Sequence, residues 1–295
     1  MTRIAYINGI YQPLTWPAIM AEDRGYQFAD GVYEVIAFHN GQFYDETLHY
    51  ERLDASLAML DIPAPMNRAA LKMVVRETIR KNRLKAAIIY IQISRGIAPR
   101  EHSYHAGLKP VLVVTARPLD TSRRQQIHKQ GIAVISVPDQ RWARCDIKSI
   151  ALLPNILARQ SALKQGAQEA WQVNSAGFIT EGAATNAWMI DKQNRLYTHP
   201  ANAAILNGIM RRTILNLAKE AGLQLVEQAF STAQAQRAAE CFATASTMSI
   251  FPVVSLDGKK IGAGKIGKHT ALLIAACERA YAQSEKKSEK KSLIS

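Results

Sequence analysis

Short strand-like runs come in pairs at the start of this chain, each pair joined by Asn-Gly. Residues 2–7 and 10–14 flank Asn8-Gly9, and 31–38 and 41–44 flank Asn40-Gly41. Asn-Gly between alternating apolar runs is a hairpin signal, because both central residues of the tight turn need positive φ. Helical spacing appears only after the second hairpin. Leu48, Leu53, Leu57 and Leu60 place one apolar face on 47–62, and 67–82 repeats the pattern. Strands over 86–96 and 109–118 follow.

From Pro118 the chain turns polar, with little core character. This marks a small N-terminal α/β domain over 1–118, a linker at 119–124 and a larger C-terminal domain over 125–283. In the larger domain, strands are expected at 132–137, 168–173, 177–179, 186–190, 241–244 and 251–254, and helices at 155–165, 207–221, 231–237 and 267–282. The two types do not alternate regularly, so a doubly wound sheet fits poorly and the class is α+β. There is no internal repeat, no G-x-G-x-x-G and no G-x-x-x-x-G-K-[ST].

Charge and cysteine content narrow the function classes. The net charge is +13, and the tail 284–295, with four Lys and two Glu, supplies +2 of it. That tail reads as a charged, disordered end. The remaining +11 is diffuse and favours anionic ligands. No zinc-finger spacing, helix-turn-helix signature or aromatic-basic interleaving accompanies it, so nucleic acid is not expected as a partner. No apolar run approaches the roughly 18–20 residues of a membrane span, and the first residues lack signal-peptide features. Cys145, Cys241 and Cys277 are odd in number and lack metal spacing. A reduced, cytoplasmic compartment is expected, without a disulfide framework or a metal site.

Four spots carry candidate chemistry. Lys148, in RCDIKS, lies between a strand-like and a helical segment, both core-seeking. Glu181 stands beside Gly182 and two alanines, where a carboxylate needs a cationic partner or takes up a proton. Asn207-Gly208 precedes a helix opening at Ile209, and the free N–H groups of a helix start bind anions. TASTMS, 244–249, is a small hydroxyl cluster after a strand. Taken singly, these read as a surface lysine, a turn glutamate, an ordinary helix start and a polar turn. Together they match the needs of pyridoxal 5′-phosphate: an amine, a carboxylate for the ring nitrogen, and two phosphate-binding ends.

Seven segments occur in family order: RGYQFADGVYEVI (24–36), HYERLDAS (49–56), SRGIAPREH (94–102), RCDIKS (144–149), ITEGAATNAW (179–188), LNGIMRRTIL (206–215) and TASTMSIFPVVSLDGKKI (244–261). With them the chain resembles the fold-type IV pyridoxal-phosphate enzymes over about residues 3–280. The resemblance implies a C-terminal domain with a β-barrel-like core. It implies Lys148 as the Schiff-base lysine and proton shuttle, and Glu181 as the partner of the pyridine nitrogen. It implies Arg52 on the phosphate, with the N–H groups of Ile209 and Met210, and with Ser246 and Thr247.

Two features choose within the family. Leu153 stands where branched-chain enzymes typically carry a tyrosine, and PREH (99–102) matches the Arg-x-His of the D-amino acid transaminases. Arg100, His102 and Tyr33 would then hold the substrate carboxylate, Arg100 and His102 reaching in from the neighbouring subunit of a homodimer. A guanidinium fork and two further donors suit a planar carboxylate.

The expected reaction moves an amino group from a D-amino acid such as D-alanine to a 2-oxo acid such as 2-oxoglutarate, by way of the pyridoxamine form of the cofactor. The rivals are aminotransferases of branched-chain L-amino acids or (R)-amines, aminodeoxychorismate lyase, and a basic binding protein of the same fold without catalysis. Ala183, Ala184, Met210 and Ala245 depart from the family's usual hydroxyl residues.

Overall fold

The computed structural model describes residues 2–247 and 249–292, with side chains described to residue 282. It divides into two compact units: 1–119 with 147–151, and 120–146 with 152–295.

The first unit is one antiparallel sheet with helices on it. Its strands are β1 (Ile4–Ile7), β2 (Ile10–Pro13), β3 (Gly31–His39), β4 (Gln42–Phe43), β5 (Ala86–Ser94) and β6 (Val111–Pro118), in the order β2-β1-β6-β5-β3-β4. Both hairpins turn at Asn-Gly, with φ of 45° and 107° at Asn8 and Gly9, and 48° and 81° at Asn40 and Gly41. Helix α1 (Arg24–Phe28) precedes β3, and α2 (Glu46–Met59) and α3 (Arg68–Lys81) lie between β4 and β5. Val32 and Ile36 of β3, Leu53 and Leu57 of α2, and Val75 and Ile79 of α3 meet in one core with Ile89, Ile91 and Ile93 of β5. Each such side chain is worth about 1.5–3 kcal/mol of burial.

Residues 147–151 return to this unit as a short extra edge along β3. The N–H of Tyr33 donates to the carbonyl of Lys148 at 3.0 Å, and that of Ile150 to Gly31 at 3.1 Å. Val32 and Ser149 bridge between them, and Ile147 is buried in the core.

The second unit opens with α4 (Thr121–Gln130), β7 (Ile132–Pro138), α5 (Leu153–Lys164), β8 (Glu169–Val173), β9 (Phe178–Gly182), β10 (Asn186–Ile190) and β11 (Arg195–Thr198). It continues with α6 (Ile209–Leu217), β12 (Gln224–Glu227), β13 (Phe230–Ser231), α7 (Thr232–Gln236), β14 (Glu240–Ala245), β15 (Ser249–Leu256), β16 (Lys259–Lys260) and α8 (Lys268–Ser292). Its mixed sheet runs β12-β11-β10-β14-β15-β7-β8-β9-β13, with β16 on β15. Strands β9 and β10 lie at opposite ends of a six-strand run within it, yet follow each other in sequence and pack together across one turn. The sheet therefore curls toward a barrel around Trp171, Ile179, Ala187 and Phe230.

Three local outcomes differ from the reading of the sequence alone. Residues 121–130, read as a polar stretch, form α4, started by the Asp120 carboxylate accepting from the N–H of Arg123 at 3.0 Å. No residue of α4 is buried, so no apolar period announces it. Strand β9 runs on to Gly182, which puts Glu181 inside a strand. The backbone of α8 continues through 284–292, most of the stretch read as a disordered tail, and 293–295 lie outside the described residues.

Candidate active site

In the first unit, two elements converge on Lys148. Helix α2 reaches it through Ser56, whose hydroxyl accepts from the Lys148 N–H at 3.3 Å. Strand β3 holds its carbonyl and places the Tyr33 ring 4.2 Å from Nζ. The residue is half-buried, and among the described residues no carboxylate or other hydrogen-bond acceptor pairs with its amine.

One turn before Ser56, α2 presents Arg52. Its guanidinium grips the Glu34 carboxylate on two edges, Nε to Oε1 at 2.7 Å and Nη2 to Oε2 at 3.0 Å. Glu34 is fully buried beneath it, and His49, one turn before Leu53 and itself buried, closes on Oε2 through Nδ1 at 2.7 Å. Burial pushes the Glu34 carboxyl up, but the Arg52 charge and the hydrogen bonds from His49 and Arg52 prevail and hold it at about 2. Arg52 is thus fixed from behind by an anion.

The PREH loop packs against α1. The Arg100 guanidinium lies over the Phe28 ring at 4.8 Å, and the His102 ring meets the same phenyl edge-on at 5.8 Å. Both side chains are exposed, and no hydrogen bond or ring contact joins either to Tyr33.

In the second unit, Glu181 is buried on β9 and held from three sides. Asn186 Nδ2 donates to Oε2 at 3.0 Å, the Leu206 N–H to both oxygens at 3.2 and 3.1 Å, and the Arg141 guanidinium to Oε1. Arg141 is the cation that this apolar neighbourhood demands. It is itself clamped by Asp139, by the Thr180 hydroxyl at 3.0 Å and by the Ala204 carbonyl at 3.0 Å. Asn186 also donates to the Leu206 carbonyl at 2.9 Å, so one amide ties the carboxylate to the segment that leads into α6.

That segment must approach closely. A Cβ on Gly208 would lie 2.1 Å from the Asn186 Oδ1. Gly208 caps α6, which opens at Ile209 as its sequence implies. The N–H groups of the first turn have no acceptor within the helix. The Met210 side chain turns inward, where the Tyr281 hydroxyl meets its sulfur at 2.9 Å, so Met210 offers a ligand only its backbone. Ser246 and Thr247 form the half-buried turn after β14. Leu153 is exposed at the start of α5. Burial, with smaller effects of neighbouring charges, pushes the Cys145 thiol up to about 11, so it is not a thiolate at neutral pH.

Several of these residues escape a reading of the sequence alone. Glu34 carried a signal: it shares the core-facing side of β3 with Val32 and Ile36. An acid in that register needs buried partners. Asp139 and Arg141 sit in an ordinary-looking turn, PDQRW, and only folding brings them to Glu181.

The model of the amino-transferase class IV family matches residues 31–256, and the chain belongs to that family. Among its relatives, it is 40% identical to a D-alanine aminotransferase of Bacillus licheniformis, over 89% of this chain and 92% of the relative. It is 37% identical to a D-alanine aminotransferase of Staphylococcus haemolyticus, over 92% and 95%. Its fold is that of the branched-chain amino acid aminotransferase of Escherichia coli, with TM-score 0.85, 26% identity, and 94% and 93% of the two chains covered. A pyridoxal-phosphate-bound hypothetical aminotransferase of Mycobacterium tuberculosis shares the fold at TM-score 0.80 and 21% identity, covering 92% and 98%.

Proposed function

We propose that this chain is a pyridoxal-phosphate transaminase that moves the amino group of a D-amino acid, such as D-alanine, to a 2-oxo acid, such as 2-oxoglutarate. The observation that carries this reading is Lys148, half-buried, fixed at its backbone by β3 and α2, with an amine that pairs with no carboxylate among the described residues. The substrate class rests on the two D-alanine aminotransferases, which match most of the chain.

The residues present fit the cofactor. The Lys148 amine suits an aldehyde carbon, Glu181 suits a protonated ring nitrogen, and Arg52 with the α6 start suits a phosphate. When bound, the cofactor supplies an electron sink for the charge left at the substrate Cα. With the cofactor bound, Lys148 Nζ would serve as the general base for the substrate Cα proton and as the general acid that delivers it to C4′. Arg141 and Asn186 keep the Glu181 carboxylate oriented. Ile209 and Met210 give backbone N–H groups to the phosphate, and Ser246 and Thr247 add donors.

The stereochemistry is read directly from the visible spectrum of the cofactor-loaded protein. D-alanine bleaches the band due to the cofactor on Lys148, and L-leucine leaves it unchanged. Bleaching by L-leucine alone makes the enzyme a branched-chain one, and absence of a band after added cofactor removes the enzymatic reading.

Tyr33, Arg100 and His102 take the substrate carboxylate, the last two from the neighbouring subunit of a homodimer. Within one chain both side chains pack on Phe28, with no hydrogen bond or ring contact to Tyr33, which is compatible with this reading. Support comes from the exposed apolar stripe of Leu153, Ile156, Leu157 and Leu163 on α5, a surface that monomers rarely display. Co-expression of Lys148→Ala and Arg100→Ala chains checks it. A hybrid dimer then holds one intact site, and a statistical mixture recovers about a quarter of wild-type activity. Activity no higher than that of the separate variants means that both residues serve the site of their own chain.

Among the described residues no helix is long and apolar enough to cross a membrane. Three free cysteines support a cytoplasmic location for the enzyme.

A further inference from the structure

Behind the PREH loop lies a buried charge cluster that the chemistry above does not use. Arg24, in the first turn of α1, is 4% exposed. Its Nε donates to Asp30 Oδ2 at 2.8 Å, and Arg95 Nε donates to the same oxygen at 2.8 Å. One carboxylate thus holds two guanidinium groups. Burial pushes the Asp30 carboxyl up, but the hydrogen bonds and charges of Arg95 and Arg24 outweigh it and hold the carboxyl below its usual range.

The far edge of Arg24 faces the loop. Its Nη1 donates to the carbonyls of Glu101 at 2.7 Å and Ser103 at 3.3 Å, and its Nη2 to that of His102 at 3.2 Å. Three consecutive carbonyls are therefore read by one rigid fork. Arg95 continues the support with its guanidinium 3.7 Å from the centre of the Tyr104 ring. The near side of the loop is tied to the same region. The Ala98 N–H donates to the Glu22 carbonyl at 3.1 Å, and Gln27 Nε2 to the Ala98 carbonyl at 3.3 Å. Arg100 is thus suspended between two anchors, and α1 presents Phe28 to both Arg100 and His102.

We infer that Arg24 is a positioning residue for substrate recognition: its fork sets the loop conformation from which Arg100 and His102 meet the substrate carboxylate. This rests on the reading of Arg100 and His102 given above. A loop left free pays for its own ordering at each binding event, and that cost appears in KM. Asp30 and Arg95 act on the same loop through Arg24 and Tyr104.

The test compares D-alanine with D-alaninamide, which lacks the carboxylate, on the cofactor-loaded dimer. In Arg24→Gln, KM for D-alanine rises about tenfold with kcat within about twofold, and kcat/KM for D-alaninamide stays at the wild-type value. Arg24→Lys keeps the charge without the fork and gives an intermediate KM. If the Gln variant does not fold, the Lys variant carries the same comparison. Equal losses on both substrates would make Arg24 a general structural residue and overturn the inference, as would an unchanged KM for D-alanine. Arg100→Ala is measured alongside. If it leaves the preference for D-alanine over D-alaninamide intact, the carboxylate reading itself fails. If it abolishes that preference while Arg24→Gln does not weaken it, only the positioning role fails.

Discussion

Lys148→Ala is expected to lower the transamination of D-alanine about 10⁴-fold while the fold persists. The backbone of residue 148 does the structural work, through the Tyr33 and Ser56 hydrogen bonds, and alanine keeps both. What is lost is the amine over the Tyr33 ring. Added methylamine should restore part of the turnover, because a small amine supplies the missing base from solution. Circular dichroism and the urea midpoint should match the wild type. Turnover within tenfold of wild type, with the fold intact, would remove Lys148 from the chemistry.

Glu34→Gln is expected to weaken cofactor binding by about 10- to 100-fold, the cost of one charge-assisted hydrogen bond. The amide keeps the volume but faces Arg52 with a donor on one edge. Arg52 then loses the two-point grip that aims it, and the buried guanidinium loses its counter-charge. Fluorescence titration of the cofactor-free protein measures the affinity.

The same variant tests the electrostatics. Glu34 sits at about 2 in the folded protein against 4.5 for an ordinary glutamate, a difference worth about 3 kcal/mol. A lowered carboxyl stabilises the fold above its unfolded value, so the contribution is complete above about pH 5 and fades as pH falls toward 2. The gap in unfolding free energy between wild type and Glu34→Gln should be full at pH 6 and shrink below pH 4.5. A gap constant down to pH 3 would mean that Glu34 is not held ionised by Arg52 and His49. Unchanged cofactor affinity would take Arg52 off the phosphate.

Much of the molecule is legible along the chain because it is governed by near neighbours. Asn8-Gly9 and Asn40-Gly41 turn where positive φ is needed, and the apolar spacing in α2 and α3 reports the face each helix buries. Gly208 followed by Ile209 marks a helix start because a cap is a local event. Helix α4 was hidden for the converse reason: its inward face is only half-buried and, Ile127 apart, polar, so it leaves no apolar period.

The sequence by itself determined the hairpins, the amphipathic helices and the α+β class, and it singled out the lysine, glutamate and helix start on which the proposed function rests. Only the tertiary structure decided that residues 147–151 rejoin β3, that Glu34 and His49 stand behind Arg52, that Arg141 clamps Glu181, and that Arg24 holds the loop of Arg100 and His102. The physical reason is desolvation. A buried charge persists only with a partner, and that partner is supplied by another part of the fold rather than by the next residue in the chain.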